Sequence, residues 1–256
     1  MNEKLQAFER LLNIMDELRA KCPWDQKQTI ESLRHLTIEE TYELADAIIE
    51  KDLTDVKKEL GDILLHIVFY AKIASETNEF DITDVINGLC EKLIFRHPHV
   101  FGEVNVKDSE EVKTNWENLK IKEGNKSILA GVPKTLPALV KAHRIQDKVR
   151  SVGFDWDERS QIWDKVKEEL SELQVEIEKQ DKEKMEPEFG DLLFSMVNAA
   201  RLYNIDPEMA LERTNKKFIN RFNYLEENTI KQGRSLHDMT LDQMNEIWEK
   251  AKKFDK

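Results

Sequence analysis

Apolar residues recur at helical spacing along almost the whole chain. Leu5, Phe8, Leu11, Leu12, Met15 and Leu18 predict an amphipathic helix over 3–19, stopped ahead of the turn Cys22-Pro23-Trp24-Asp25. Leu33, Leu36, Leu44, Ala47 and Ile48 give one face of a second helix over 29–50. A third, over 53–77, is apolar on nearly all sides beyond Asp62, which marks it as central. A fourth, over 83–96, runs into His97-Pro98-His99, where the proline ends it and the histidines have a packing or capping role. A short helix near 110–122 carries Trp116.

After a stretch with Gly124, Gly131, Pro133 and Pro137, the plan recurs. A helix over 137–150 precedes Gly153-Phe154-Asp155-Trp156-Asp157, an echo of Trp24-Asp25. A hairpin of two helices follows; its first helix has a core stripe of Ile162, Val166, Leu170, Leu173 and Ile177, with Glu169 at the edge. Asp206-Pro207 opens the next helix with a cap and a proline at its first position, and a final helix over 241–254 holds Trp248. The expectation is an all-α fold of two tandem helical-bundle units, 1–123 and 136–256, joined by a linker at 124–135.

The polar residues inside these stripes carry the chemistry. Glu40 and Glu43, then Glu59 and Asp62, are carboxylate pairs three apart, so each pair shares a helix face. Glu169 with Glu172, and Glu188 with Asp191, repeat them at a constant offset of 129 residues. Gly61 recurs as Gly190 at that offset, which suggests a close approach by a neighbouring helix or a ligand. At 100° per residue Glu40 falls in the middle of an apolar face, with Glu43 about 60° to one side. If the chain reverses near Gln180, both pairs of the second unit come level and four carboxylates converge. Charges of one sign about 4 Å apart repel by roughly 4 kcal/mol at an effective dielectric of 20, so the cluster needs a divalent cation or protons. Oxygen-only ligation suits magnesium, with manganese possible, better than zinc.

A second repeat, offset by 125, carries Asp81 to Asp206, Lys92 to Lys217 and Arg96 to Arg221. Basic residues four apart beside a duplicated acid cluster are placed to meet phosphate oxygens. Pro187 directly before Glu188 suggests that the second hairpin helix begins only just before the acids, which would bring its orphan amides near the metal.

Composition narrows the class. Eight glycines and six prolines against 35% charged residues favour long helices, and a net charge of −12 argues against a general nucleic-acid surface. Cys22 and Cys90 fit no ligand spacing and read as reduced thiols of a cytoplasmic protein. The opening Met-Asn-Glu-Lys is no secretory signal, and the apolar run from Ile63 to Ala74 is too short to span a membrane. No Gly-x-x-x-x-Gly-Lys-Ser/Thr loop is present, and no Glu-x-x-His accompanies the acids, as a ferritin-like di-metal oxidase would need. A non-catalytic helical scaffold has no need of the matching Lys/Arg pairs.

The two acid quartets, together with Cys22-Pro23-Trp24-Asp25, the run from Arg96 to Gly102, Ala142-His143-Arg144-Ile145-Gln146 and Val152-Gly153-Phe154-Asp155-Trp156, resemble the MazG-type nucleoside triphosphate pyrophosphohydrolases over nearly the whole chain. The resemblance implies magnesium-dependent cleavage of nucleoside triphosphates between the α and β phosphates, a house-cleaning role and a homodimer. It also implies that Glu169, Glu172, Glu188 and Asp191 are metal ligands, that Lys217, Arg221 and Trp248 contact the nucleotide, and that the second unit is the principal site.

Overall fold

A computed structural model describes residues 2–123, 127–156 and 158–255. Residues 124–126 of the expected linker, and Asp157 of the second turn, lie outside the described residues. Among those described there is no strand, and the fold is all-α. The chain divides into Met1–Val106 and Lys107–Lys256, so the division falls ahead of the expected linker.

The first unit is built on the hairpin of α2 (Ile30–Glu50) and α3 (Leu53–Ser75), with α1 (Glu3–Lys21) and α4 (Ile82–Arg96) packed on α3. Met15, Leu33, Val68 and Phe69 form its core. The α2–α3 turn has a local cause. Lys51 takes the left-handed conformation at φ 59°, and the Asp52 side chain accepts from the amides of Thr54 and Asp55. His97 caps α4, its Nδ1 2.6 Å from the Leu93 carbonyl oxygen, ahead of the short α5 (Pro98–Phe101).

In the second unit, α6 (Ser109–Lys122) and α7 (Ala138–Arg150) precede the hairpin of α8 (Arg159–Lys179) and α9 (Lys182–Leu202). Helix α7 packs on α9, α10 (Pro207–Glu227) packs on α7 and α9, and α11 (Leu241–Ala251) packs on α10. The hairpin turn repeats the first unit's in kind: Gln180 is left-handed at φ 57° and Asp181 caps the Lys184 amide. Both stand 129 residues after Lys51 and Asp52. Asn78 and Asn204, also left-handed, are 126 apart, and the caps Asp81 and Asp206 are 125 apart. The change in offset is thus a shortening around the end of α9.

Three expectations are corrected. Helix α9 does not begin at Pro187: it starts at Lys182, and the proline sits inside it. The Asp181 cap and the Gln180 turn fix the start, and the only intrahelical bond lost to the missing amide is the one to the exposed Glu183. The free first-turn amides therefore lie a helical turn or more before Glu188, not beside it. The buried stripe of α8 runs through Ile162, Val166, Glu169 and Leu173, while Leu170 and Ile177 are exposed, so the carboxylate lies within the stripe and not at its edge. A Cβ at Gly61 or Gly190 would meet nothing within 4 Å, so no neighbouring helix demands glycine there.

Candidate functional site

In the first unit, Glu40 and Glu43 on α2 and Glu59 on α3 each place a carboxylate oxygen within 4.8 Å of the others. Glu59 is 2% exposed; its Oε1 accepts from Lys58 Nζ at 2.7 Å, while its Oε2 is buried without a hydrogen-bond partner. Burial first, then the charges of Asp62, Glu43 and Glu59, push the Glu40 carboxyl above its ordinary range.

The second unit repeats the cluster with Glu169 and Glu172 on α8 and Glu188 on α9, again within 4.8 Å. Glu169 is buried and takes its counter-charge from Lys165, whose Nζ is 2.7 Å from Glu169 and 3.0 Å from Glu168. Those two hydrogen bonds push the Lys165 ammonium pKa upward. The Glu188 carboxyl is raised by burial, then by Glu172, Asp191 and Glu169. Each expected quartet is therefore a tight trio plus an aspartate. Asp62 and Asp191 stand outside the trios but act electrostatically on Glu40 and Glu188.

These residues fit a divalent cation. Carboxyls raised by their own neighbours and a buried, orphaned carboxylate oxygen are relieved by a cation with oxygen preference. No histidine joins either trio. The buried His66 on α3 instead meets Thr37 Oγ1 through Nδ1 at 2.7 Å, and burial holds its pKa down.

A cavity of about 610 Å³ opens beside the second trio, with Glu169, Asp191 and Lys165 on its wall. Gln146 and Val149 of α7 and the turn carrying Phe154 and Trp156 also line it. That turn is held by Asp155, which forms a two-point ion pair with the buried Arg201 of α9.

Residues 28–101 and 158–225 each match the MazG nucleotide pyrophosphohydrolase domain. The chain belongs to the MazG family. It is 46% identical to the nucleoside triphosphate pyrophosphohydrolase/pyrophosphatase MazG of Thermotoga maritima, over 98% of each chain. It is 40% identical to the nucleoside triphosphate pyrophosphohydrolase of Escherichia coli K12, over 97% of this chain and 98% of that one.

The basic pairs of the two MazG units are disposed alike. Lys92 on α4 and Lys217 on α10 are exposed, and Arg96 and Arg221 are half-buried. Arg221 lies 5.6 Å from the Trp248 ring and is gripped by Asp255, with Nε 3.1 Å from Oδ1. Trp116 is also a platform for a cation, but for Lys120 of its own helix, at 5.8 Å.

Four participants escaped the sequence reading. Lys58 and Lys165 neutralise the buried glutamates; the spacing from Lys165 to Glu169 is visible in the chain but is common on exposed helices. Asp255 reaches Arg221 across 34 residues and Gln146 reaches Phe194 across 48, and no local pattern signals either.

Proposed function

We propose that this protein hydrolyses nucleoside triphosphates between the α and β phosphates, giving the monophosphate and pyrophosphate, with magnesium or manganese held by Glu169, Glu172, Glu188 and Asp191. The observation that carries the reading is the carboxylate trio on α8 and α9 with a cavity opening from it. A divalent cation bound there supplies the positive charge that phosphate oxygens and the leaving pyrophosphate require. The chain's own residues do the rest. Glu169 and Glu188 present oxygens from facing helices, Lys165 balances Glu169 until a cation arrives, and Lys217 with Arg221 forms a basic patch for phosphate. That Arg221 already holds a carboxylate supports an anion-binding role. The trio of Glu40, Glu43 and Glu59, with Asp62, is a second cation site, served by Lys92 and Arg96.

The names of the relatives support the same substrate class. The reading extends to broad base tolerance, a house-cleaning role in the cytoplasm and a homodimer. Among the described residues no helix is long and apolar enough to cross a membrane. Helix α4 buries no residue, and Ile86, Leu89 and Phe95 stand exposed on it, as do Phe218 and Ile219 on α10. A second copy covering such faces removes apolar surface from water.

Phosphorus NMR of ATP incubated with the protein and magnesium tests the reaction. Resonances of AMP and pyrophosphate are expected. ADP with orthophosphate would place cleavage at the γ position and overturn the reading.

A further inference from the structure

The basic patch of the second unit is already engaged by the chain itself. Arg221 of α10 lies 5.6 Å from the Trp248 ring of α11. Its Nε is 3.1 and 3.2 Å from the two carboxylate oxygens of Asp255, and its Nη2 donates to the same carboxylate. Nε and Nη2 are the fork with which a guanidinium grips a carboxylate or a phosphate. Asp255 therefore takes donors that a phosphate would need. Arg221 above all, with Lys217 and Lys252, holds the Asp255 carboxyl below its ordinary range. One acid thus answers both bases that the function proposed above assigns to phosphate.

The segment that brings Asp255 there has a weak hold on the rest of the unit. Helix α11 ends at Ala251, which is 3% exposed, and a short turn over Lys252–Phe254 follows. Phe254 is 68% exposed, and its ring meets Tyr224 of α10 with centroids 5.3 Å apart. A cavity of about 190 Å³ lined by Asn220, Tyr224, Phe254 and Asp255 shows that the turn is not packed flush on α10. An exposed ring contact and a partly exposed ion pair are easily displaced by a polyanion that offers several oxygens at once. The sequence also carries an acid at this place in both units. Asp255 stands seven residues after Trp248, and Glu123 seven after Trp116.

We propose that the turn over Lys252–Phe254 with Asp255 is an autoinhibitory latch on the second unit. Asp255 closes the anion site of Lys217 and Arg221 while no substrate is bound, and the phosphates of an incoming nucleoside triphosphate displace it. The proposal rests on the nucleotide reading of this unit. Each encounter then has to open the latch first, so the apparent affinity is reduced by the fraction of molecules in which it is closed.

The test is titration calorimetry with magnesium and α,β-methylene ATP, which cannot be cleaved between those phosphates, so binding is read apart from catalysis. Asp255→Asn removes the competing charge, and Phe254→Ala removes the ring that holds the turn. Each should tighten binding by about twofold to fivefold, as for a latch closed about half to four-fifths of the time. In an Arg221→Ala background, Asp255→Asn should tighten nothing. Weaker binding in Asp255→Asn would make the aspartate a positioning residue for Arg221. That result, unchanged binding in either variant, or tightening that persists without Arg221 overturns the latch. If both variants tighten the analogue but ATP yields no pyrophosphate, the reaction falls and the latch stands. Pyrophosphate release with binding indifferent to Asp255 is the reverse.

Discussion

Lys165 Nζ lies 2.7 Å from Glu169 Oε1, one helical turn along α8. Glu169 is the buried member of the second trio, so this lysine is its counter-charge while no cation is bound. Lys165→Met removes that counter-charge from the buried carboxylate. The metal-free protein should lose about 1–2 kcal/mol, well below the full penalty for a buried pair because the lysine is partly exposed. Thermal melts with and without magnesium check this: the variant should start lower and gain more from the ion. An unchanged melting temperature would mean that Lys165 is only a surface ion pair.

Metal and pH should be linked. The Glu40 and Glu188 carboxyls stand above their ordinary value of 4.5. A group raised on folding favours the folded state below its unfolded pKa and loses that contribution as pH rises through the folded value. The metal-free protein should therefore weaken from about pH 4.5 upward, and the magnesium-induced rise in Tm should grow over the same range. Replacing two acids in each trio should abolish that rise; a rise unchanged by those substitutions would place the metal elsewhere.

The Asp155 carboxyl behaves in the opposite sense. Burial would raise it, but hydrogen bonds from Arg201 and the Trp156 amide hold it below its ordinary 3.8. Its contribution is complete above 3.8 and is lost as pH falls through the depressed folded value. The stability gap between wild type and Asp155→Asn, read by chemical denaturation, should be constant down to about pH 4 and close below it. A gap independent of pH would show that the aspartate acts by shape alone.

Asp255 occupies the guanidinium that the proposed function assigns to phosphate. Arg221→Ala should raise KM for triphosphates, whereas Asp255→Asn, which weakens an internal competitor, should lower it by about twofold to fivefold. A raised KM in Asp255→Asn would show that the aspartate positions Arg221 for substrate.

The sequence made the hairpins and acid clusters legible because duplication amplifies both. One Glu-x-x-Glu is an ordinary helix surface, but acids recurring at a fixed offset demand a shared geometry. The same offset could have placed the start of α9, since Lys51-Asp52 maps onto Gln180-Asp181. Pro187 points to a later start because a proline is a local signal, whereas a left-handed turn with an aspartate cap is visible only in its twin. Glu169 appeared to lie at an edge because hydrophobic periodicity cannot recognise a buried carboxylate as a core position. Gln146 and Asp255 were illegible because their roles depend on neighbours brought together by folding.

The proposed function places triphosphate cleavage at the acid cluster of α8 and α9. The direct measurement is the rate of pyrophosphate release from ATP by Glu172→Ala and by Glu43→Ala, both shown folded by circular dichroism. Both trios are intact, but the described cavity, lined by Gln146 with its unpartnered Oε1, adjoins the second. Glu172→Ala should lower kcat by about a hundredfold, and Glu43→Ala by less than about threefold. Equal losses would mean two working sites, and a greater loss in Glu43→Ala would contradict the assignment.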